Sequence, residues 1–218
     1  NGRRERDLMT GMTVPPRLTL KSYLDIALHF DWTFKYLTHK TPSMVNIEHR
    51  VPKGTSDISV MDFMNSQFDR TVTWKDAAWM IEQWDKPFAI KGILSVEDAK
   101  MAVDVGASAV MVSNHGGRQM DGCPAPIEVI GDIVDAVGDK LEIILDGGVR
   151  RGTHILKAIS LGAKACMGGR AYLYGLAAGG EEGAYKSLSL LKDEVQNNMT
   201  LLGCTDVKKI TSDHFRKL

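Results

Sequence analysis

The stretch Ala109-Val-Met-Val-Ser-Asn-His-Gly-Gly-Arg-Gln119 joins four apolar residues directly to a polar, glycine-rich segment. The apolar run predicts a buried β-strand, and the glycines after it predict a turn. His115 and Arg118 therefore lie where a strand ends. In proteins that alternate strands and helices, this end of the sheet is where ligands bind. A base beside a fixed cation suits a substrate that carries an acidic proton and a negative charge.

Three further apolar runs end in the same way. Residues 88–90 lead into Lys91-Gly92, residues 142–145 lead into Asp146-Gly-Gly-Val-Arg150, and residues 165–167 lead into Gly168-Gly-Arg170. Glycine lets the backbone approach a ligand closely. Because four successive strand ends combine charge with glycine, we expect them to form one site.

Helical patterns separate these strands. Apolar spacing predicts a helix over 19–29, and capping boxes at Thr73 and Ser95 begin two more. Further helical patterns follow Pro126 and Thr153, and a long terminal helix ends at Gly203. The alternation predicts an α/β fold with a parallel sheet and right-handed crossovers.

Two architectures fit four such strands: a flavodoxin-like sheet, or half of a (β/α)8 barrel. The barrel fits better, because its last two strands commonly end in a phosphate site. Here those two ends carry glycines and the arginines Arg150 and Arg170, which predict a phosphate cradle.

We interpret residues 1–218 as one domain, or part of a larger one. It divides into an irregular excursion at 30–70, a half-barrel at 71–175, and a terminal helix and tail at 183–218. The excursion is apolar for a loop. It either packs over the barrel mouth, which we favour slightly, or contacts a membrane surface.

The bulk composition excludes several classes of protein. Lysine plus arginine and aspartate plus glutamate both number 27, so the balance of charge gives no reason to expect nucleic acid as a partner. No apolar run is long enough to predict a membrane-spanning helix. The three cysteines are widely spaced, which favours free thiols in a reducing compartment over disulfides or a zinc site.

Each candidate residue also has a structural interpretation. The His115 ring could simply bond loop backbone, and Arg118 could form a surface ion pair. Lys91 could pair with an acid elsewhere in the fold, and Asp146 could be a turn-former as readily as a ligand for a hydroxyl group. Arg4, in the charged cluster at residues 1–7, is by composition part of a solvated tail.

The segment Ser113–Gln119, with Asp121-Gly122 beyond it, resembles the signature of FMN-dependent α-hydroxy-acid dehydrogenases and oxidases. The resemblance extends over Ile90-Lys-Gly-Ile-Leu94, Asp146-Gly-Gly-Val-Arg-Arg-Gly152 and Gly169-Arg-Ala-Tyr172. The runs Tyr174-Gly-Leu-Ala-Ala-Gly-Gly180 and Leu201-Leu-Gly-Cys204 are most similar to bacterial L-lactate dehydrogenases.

The resemblance implies a role for each candidate residue. His115 would be the active-site base, and Arg118 and Arg4 would hold the substrate carboxylate. Lys91 would lie beside the N1 and O2 edge of the flavin, where reduction places negative charge. The remaining contacts to FMN would come from Ser113 at the ring and, along the ribityl chain and phosphate, from Asp146, Gly147, Gly148, Arg150, Gly169 and Arg170.

The implied reaction oxidises an L-2-hydroxy acid, most simply L-lactate, to the keto acid, by hydride transfer or through a carbanion. The resemblance also implies a complete barrel, of which this sequence carries strands five to eight. We therefore expect the first half as a partner, a homo-oligomer, and a quinone, cytochrome or oxygen as electron acceptor. The expected location is the cytoplasm, including the inner face of the membrane.

Three rivals remain open. One is a glycolate or other 2-hydroxy-acid oxidase. Another is a related FMN enzyme that acts on a peptide-derived cofactor precursor. The third is a non-catalytic half-barrel that binds phosphate ligands or a partner chain.

Overall fold

The computed structural model of the protein describes Met9, residues 18–39 and 45–50, Phe63, and residues 66–215. The chain divides into two compact units. One holds residues 4–72, and the other holds residues 1–3 and 73–218.

The helices are named in chain order. They are α1 at Leu20–Leu28, α2 at Phe30–Thr38, α3 at Val45–Glu48, α4 at Trp74–Glu82, α5 at Val96–Asp104, α6 at Pro126–Val137, α7 at Gly152–Ser160 and α8 at Arg170–Leu201. Short 3₁₀ turns follow at Val207–Lys209 and Ser212–His214. The predicted caps start their helices: the Asp76 carboxylate accepts hydrogen bonds from the Thr73 N–H and hydroxyl, both at 2.7 Å, and Ser95 Oγ accepts from the Asp98 N–H at 3.1 Å.

The strands are β1 at Ala89–Ile93, β2 at Ala109–Ser113, β3 at Glu142–Asp146 and β4 at Ala165–Met167. They form one parallel sheet in the order β1-β2-β3-β4, which confirms the predicted α/β layout. The expected end of β1 was wrong. The strand continues through Lys91 to Ile93, because its pairing with β2 resumes after an irregularity between these two residues.

One face of the sheet packs against helices and forms the core. Val110 and Val112 of β2 and Ile143 and Leu145 of β3 are almost completely buried there. They meet a stripe on α6, which packs on both strands and on α5. Each such side chain contributes roughly 1.5–3 kcal/mol on burial. Alternation along the strands then places Lys91, Ser113 and Asp146 on the opposite face.

The expectation of an irregular excursion over 30–70 was wrong for residues 30–38, which form α2. Aromatic residues occupy every second position there, which hides the helical period. One pair four residues apart nevertheless makes a contact: the rings of Trp32 and Tyr36 stack with centroids 5.1 Å apart. Such pairs stabilise a helix locally without a buried face. Much of the remaining excursion lies outside the described residues.

The terminal helix α8 is interrupted at Gly179 and Gly180, where the backbone leaves helical geometry. Its second half packs against α7, and Gly152 marks the closest approach: a Cβ on Gly152 would lie 2.5 Å from the Val195 nitrogen. After Gly203 the tail contacts α7 through the 3₁₀ turns, and Ile210 is buried. The second half of α8 and the tail after it therefore pack against α7, next to the segment that joins β3 to α7.

Candidate functional site

Three predicted site residues form one hydrogen-bonded cluster, with Lys91 in the middle of β1 and Ser113 and Asp146 at the carboxyl ends of β2 and β3. The Lys91 ammonium group contacts Asp146 Oδ2 and donates to Ser113 Oγ at 3.0 Å. The Ser113 hydroxyl donates to the same Asp146 oxygen at 2.6 Å. Register accounts for the contact between Ser113 and Asp146, because these residues are paired in neighbouring strands, and the Lys91 side chain reaches both from β1.

The cluster keeps Asp146 ionised. Partial burial opposes ionisation, but the hydrogen bonds from Lys91 and Ser113 and the charge on Lys91 outweigh it, so the pKa of Asp146 lies below its usual value. The Lys91 side chain is 40% exposed and that of Asp146 is 17% exposed. Lys91 thus forms the ion pair with an acid that was its structural interpretation in the sequence. It leaves the ammonium group accessible to a bound ligand.

His115 lies directly beyond this cluster, in a left-handed backbone conformation with φ of 56°. Its N–H donates to Ser113 Oγ at 3.1 Å. Its ring lies over Gly92, where a Cβ would come within 3.0 Å of His115 Cε1. The glycine after Lys91 therefore makes room for the imidazole, so residues from β1 and from the turn after β2 meet at this ring.

Asn114 supports the same turn, although no role for it was predicted from the sequence. Its Oδ1 accepts from the Gly117 N–H at 3.1 Å, and its Nδ2 donates to the Pro124 carbonyl at 3.3 Å. Gly147 packs against Asn114, since a Cβ there would lie 3.3 Å from Asn114 Oδ1. Asparagine is favoured in turns that need a side-chain hydrogen bond, which is the signal that could have found it.

Arg118 follows on the exposed side of this turn, outside the Lys91–Ser113–Asp146 cluster. A cleft of about 410 Å³ opens beside the turn, between the end of β1, the start of α5 and the segment 119–124. Its lining includes His115, Ser113, Gly92, Leu94, Asp98 and Met120. Arg4 lies outside the described residues.

Two glycines that follow β3 and β4 have open space beside their backbone. A Cβ on Gly148 or Gly169 would meet nothing within 4 Å. Gly169 begins α8 without a side-chain cap, so the first N–H groups of that helix are available to an anion. The guanidinium of Arg170 donates to the Gly116 carbonyl at 3.0 Å.

These donors fit the FMN that the resemblance implies. Glycine backbone, a helix N-terminus and the cations Arg150 and Arg170 suit a phosphate. The Asp146 carboxylate and the Ser113 hydroxyl suit a chain of hydroxyl groups. The Lys91 ammonium group suits a ring edge that gains negative charge.

Two further residues, His154 and Glu194, fix the β3–α7 connection and were missed in the sequence. His154 Nδ1 accepts from the Arg150 N–H at 3.3 Å and lies 3.1 Å from the Gly148 carbonyl oxygen. Glu194 Oε2 accepts from the Gly152 N–H at 2.6 Å, and its other oxygen pairs with Arg151 at 3.0 Å. Glu194 comes from α8, 42 residues away, so no local signal could have found it.

Comparison with known proteins places this chain in a family. The family described as FMN-dependent dehydrogenase matches residues 1–217. The L-lactate dehydrogenase of Alcaligenes faecalis is 38% identical over 213 residues, which are 97% of this chain and 56% of the relative. The pre-mycofactocin synthase of Mycolicibacterium smegmatis is 49% identical over 141 residues, which are 65% of this chain and 35% of the relative.

A solved structure resembles the whole chain. The crystal structure of the monotopic membrane protein (S)-mandelate dehydrogenase matches with a TM-score of 0.92 and 37% identity, over 100% of this chain and 57% of that one. The chain thus spans about half the length of the relatives it matches. Of the two architectures considered, this likeness supports part of a (β/α)8 barrel over a flavodoxin-like sheet. The chain belongs to the family of FMN-dependent dehydrogenases.

Proposed function

We propose that the protein oxidises an L-2-hydroxy acid, L-lactate, to the 2-keto acid with FMN as cofactor. The observation that carries the proposal is the position of His115. A histidine in a left-handed turn packs over Gly92, next to the Lys91–Ser113–Asp146 cluster and beside an open cleft. The choice of substrate follows the similarity of residues 174–180 and 201–204 to bacterial L-lactate dehydrogenases, one of which is among the relatives of this chain.

Oxidation of a 2-hydroxy acid removes two electrons and two protons and leaves a carbonyl group at C2. In the proposed reaction His115 takes one of these protons as a general base. Arg118, with Arg4, holds the substrate carboxylate through its planar fork. FMN, when bound, supplies the acceptor for the two electrons and the remaining proton. Lys91 provides a positive charge where the cofactor gains a negative one.

The same proposal assigns the residues that hold the cofactor. Ser113 and Lys91 would contact its ring system, and Asp146 would bind hydroxyl groups of the ribityl chain. The glycines Gly147, Gly148 and Gly169 and the arginines Arg150 and Arg170 would hold the phosphate. The open space beside Gly148 and Gly169 supports this assignment.

We take residues 1–218 as part of one domain, because the family match runs through both compact units. The proposed partners are the first half of the barrel, further copies of the protein, and a quinone, cytochrome or oxygen as electron acceptor.

Anaerobic flavin reduction tests the proposed function. The protein is loaded with FMN, and absorbance near the flavin maximum is followed after addition of L-lactate, D-lactate, glycolate or (S)-mandelate. We expect rapid bleaching with L-lactate and none with D-lactate. Faster bleaching by glycolate or (S)-mandelate would replace L-lactate as the proposed substrate but leave the proposed reaction unchanged. If no hydroxy acid reduces a bound flavin, the proposal is wrong.

A second candidate function is the oxidation of a peptide-derived cofactor precursor. The 49% identity to a pre-mycofactocin synthase over 141 residues favours it. The two candidates differ in substrate size. Reduction of bound flavin by the peptide-derived precursor from which a pre-mycofactocin synthase makes its product, together with no reduction by any of the small hydroxy acids, would select the second candidate.

We also propose that the protein works in the cytoplasm, at the inner face of the membrane, with α1 and α2 on the lipid surface. No helix in the described part of the chain is long and apolar enough to span a bilayer. Large apolar side chains of α1 and α2 are nevertheless exposed, with Leu28 and Phe30 both at 80%. Such residues suit an interfacial contact.

Flotation with phosphatidylglycerol-containing vesicles tests this location. We expect the protein to float with the vesicles and the variant with Phe30→Ser and Phe34→Ser to stay in the dense fraction. Tyr185→Ser, at an exposed position of α8, is the matched control and should float like the parent. Equal flotation of all three would exclude α2 as the contact.

A further inference from the structure

The turn that carries His115 is held in an unfavourable conformation. His115, Gly116 and Gly117 have φ values of 56°, 70° and 68° in succession. Among the described residues, His115 is the one that adopts a positive φ without being glycine. A side chain makes this conformation costly, so it persists where the surroundings determine it.

Most of the bonds that hold this turn are local. Ser113 Oγ accepts from the His115 N–H at 3.1 Å, and the Asn114 carbonyl accepts from the Gly117 N–H at 3.0 Å. The long-range bond comes from Arg170, 54 residues later, whose Nη2 donates to the Gly116 carbonyl at 3.0 Å. The fit is close, because a Cβ on Gly116 would lie 3.1 Å from that nitrogen.

Arg170 also starts α8, directly after the glycines proposed to receive the phosphate of FMN. A guanidinium group has five N–H donors in a rigid plane. One bond to Gly116 therefore leaves other donors on the same plane for an anion at the helix N-terminus. Lysine, with a single rotatable ammonium group, cannot keep both bonds in fixed geometry.

We propose that Arg170 is a positioning residue that couples phosphate binding at the start of α8 to the placement of His115. The inference rests on the proposed function, since it takes FMN to be the bound group. An occupied phosphate site restrains the guanidinium plane, which restrains the Gly116 carbonyl and hence the backbone of His115. By reciprocity, the ordered turn strengthens binding of the phosphate.

The experiment compares FMN with riboflavin, which has the same ring and lacks the phosphate. The side-chain signal of His115 is followed by NMR in protein with labelled imidazoles and is assigned with His115→Gln. Each flavin is titrated to saturation, and its affinity is measured by fluorescence quenching. The proteins are the parent, Arg170→Lys, Arg170→Met and the control Arg151→Lys, whose arginine pairs with Glu194. Arg170 is exposed, so its replacement leaves the core intact.

In the parent we expect the His115 signal to differ between the FMN and riboflavin complexes. In both Arg170 variants the difference should shrink at least about threefold, and FMN affinity should fall about tenfold, the scale of one charge-assisted hydrogen bond. Arg151→Lys should match the parent in both measurements.

Two outcomes overturn the coupling and leave FMN binding intact. One is an identical His115 signal with both flavins in the parent. The other is an Arg170 variant that binds FMN weakly yet keeps the full difference in the His115 signal between the FMN and riboflavin complexes. Arg170 would then serve the phosphate alone. If the parent binds neither flavin, the proposed function is overturned as well.

Discussion

Lys91 on β1 and Asp146 on β3 form an ion pair that reaches across β2, the strand between them in the sheet. The hydroxyl of Ser113, on that middle strand, completes the contact with bonds to both partners. One residue from each of three successive strands therefore belongs to a single polar network. The network places a fixed positive charge on the open face of the sheet while the opposite face packs as core.

Asp146→Asn should reduce stability in a way that depends on pH. The pKa of Asp146 is lower in the folded protein than in the unfolded chain, so ionisation stabilises the fold above about pH 4. That stabilisation is lost as the pH falls through the lower, folded value. We expect a loss of about 1 kcal/mol at pH 7 for this partly exposed pair. The difference between variant and parent should shrink towards pH 3.

Urea unfolding of the flavin-free protein at pH 7 and pH 3 provides the measurement. Asp139→Asn, at an exposed position after α6, is the control and should change stability by less than about 0.5 kcal/mol at either pH. If Asp146→Asn lowers the free energy of unfolding equally at both pH values, the charge of the carboxylate is not the cause of the stabilisation.

His115→Asn tests the proposed base. The variant should bind FMN with unchanged affinity but reduce it with L-lactate about 10²–10⁴-fold more slowly, the usual scale for loss of a general base. Stopped-flow absorbance of the flavin gives the rate. Reduction at nearly the parent rate would remove His115 from the mechanism.

Arg118→Lys separates substrate binding from cofactor binding. Lysine keeps the charge and loses the bidentate fork, so the KM for L-lactate should rise about tenfold or more while FMN affinity stays within about twofold. Steady-state kinetics and flavin titration give the two values. Equal losses in both would assign Arg118 to the cofactor.

Gly92→Ala should disturb His115 through contact as well as strain. Gly92 has a φ of 103°, and an added Cβ would come within 3.0 Å of His115 Cε1. We expect a loss of stability of about 1–3 kcal/mol and a large fall in the rate of flavin reduction. Gly117→Ala is the matched control: its φ is 68° and its Cβ would meet nothing within 4 Å. If the two variants slow reduction equally, contact with the imidazole is not the cause.

Cys166 should be the slowest of the three free thiols to react. Burial on β4 raises the pKa of its thiol to about 11, so about a thousandth of it is thiolate at pH 8. Its alkylation by iodoacetamide, followed by mass spectrometry, should accelerate about tenfold for each pH unit between 8 and 10. Alkylation of Cys166 at pH 8 as fast as that of Cys123 or Cys204 would contradict the assigned environment.

The sequence by itself determined the features that depend on near neighbours. Apolar runs, capping boxes and glycine-rich strand ends predicted the alternation of strands and helices, and the motif at Ser113–Gln119 identified the family. α2 escaped prediction, because its aromatic residues alternate along the sequence, whereas in the helix Trp32 stacks on Tyr36, four positions away.

The tertiary structure decided which strand ends meet and through which atoms. The contact between Lys91 and Asp146 depends on the order and register of three strands, and the bond from Arg170 to Gly116 depends on where α8 begins. The cap that Glu194 gives to α7 depends on how α8 packs. These partners are 42–55 residues apart in the chain. Contacts over such separations arise from packing of the whole sheet and its helices, which local residue patterns do not specify.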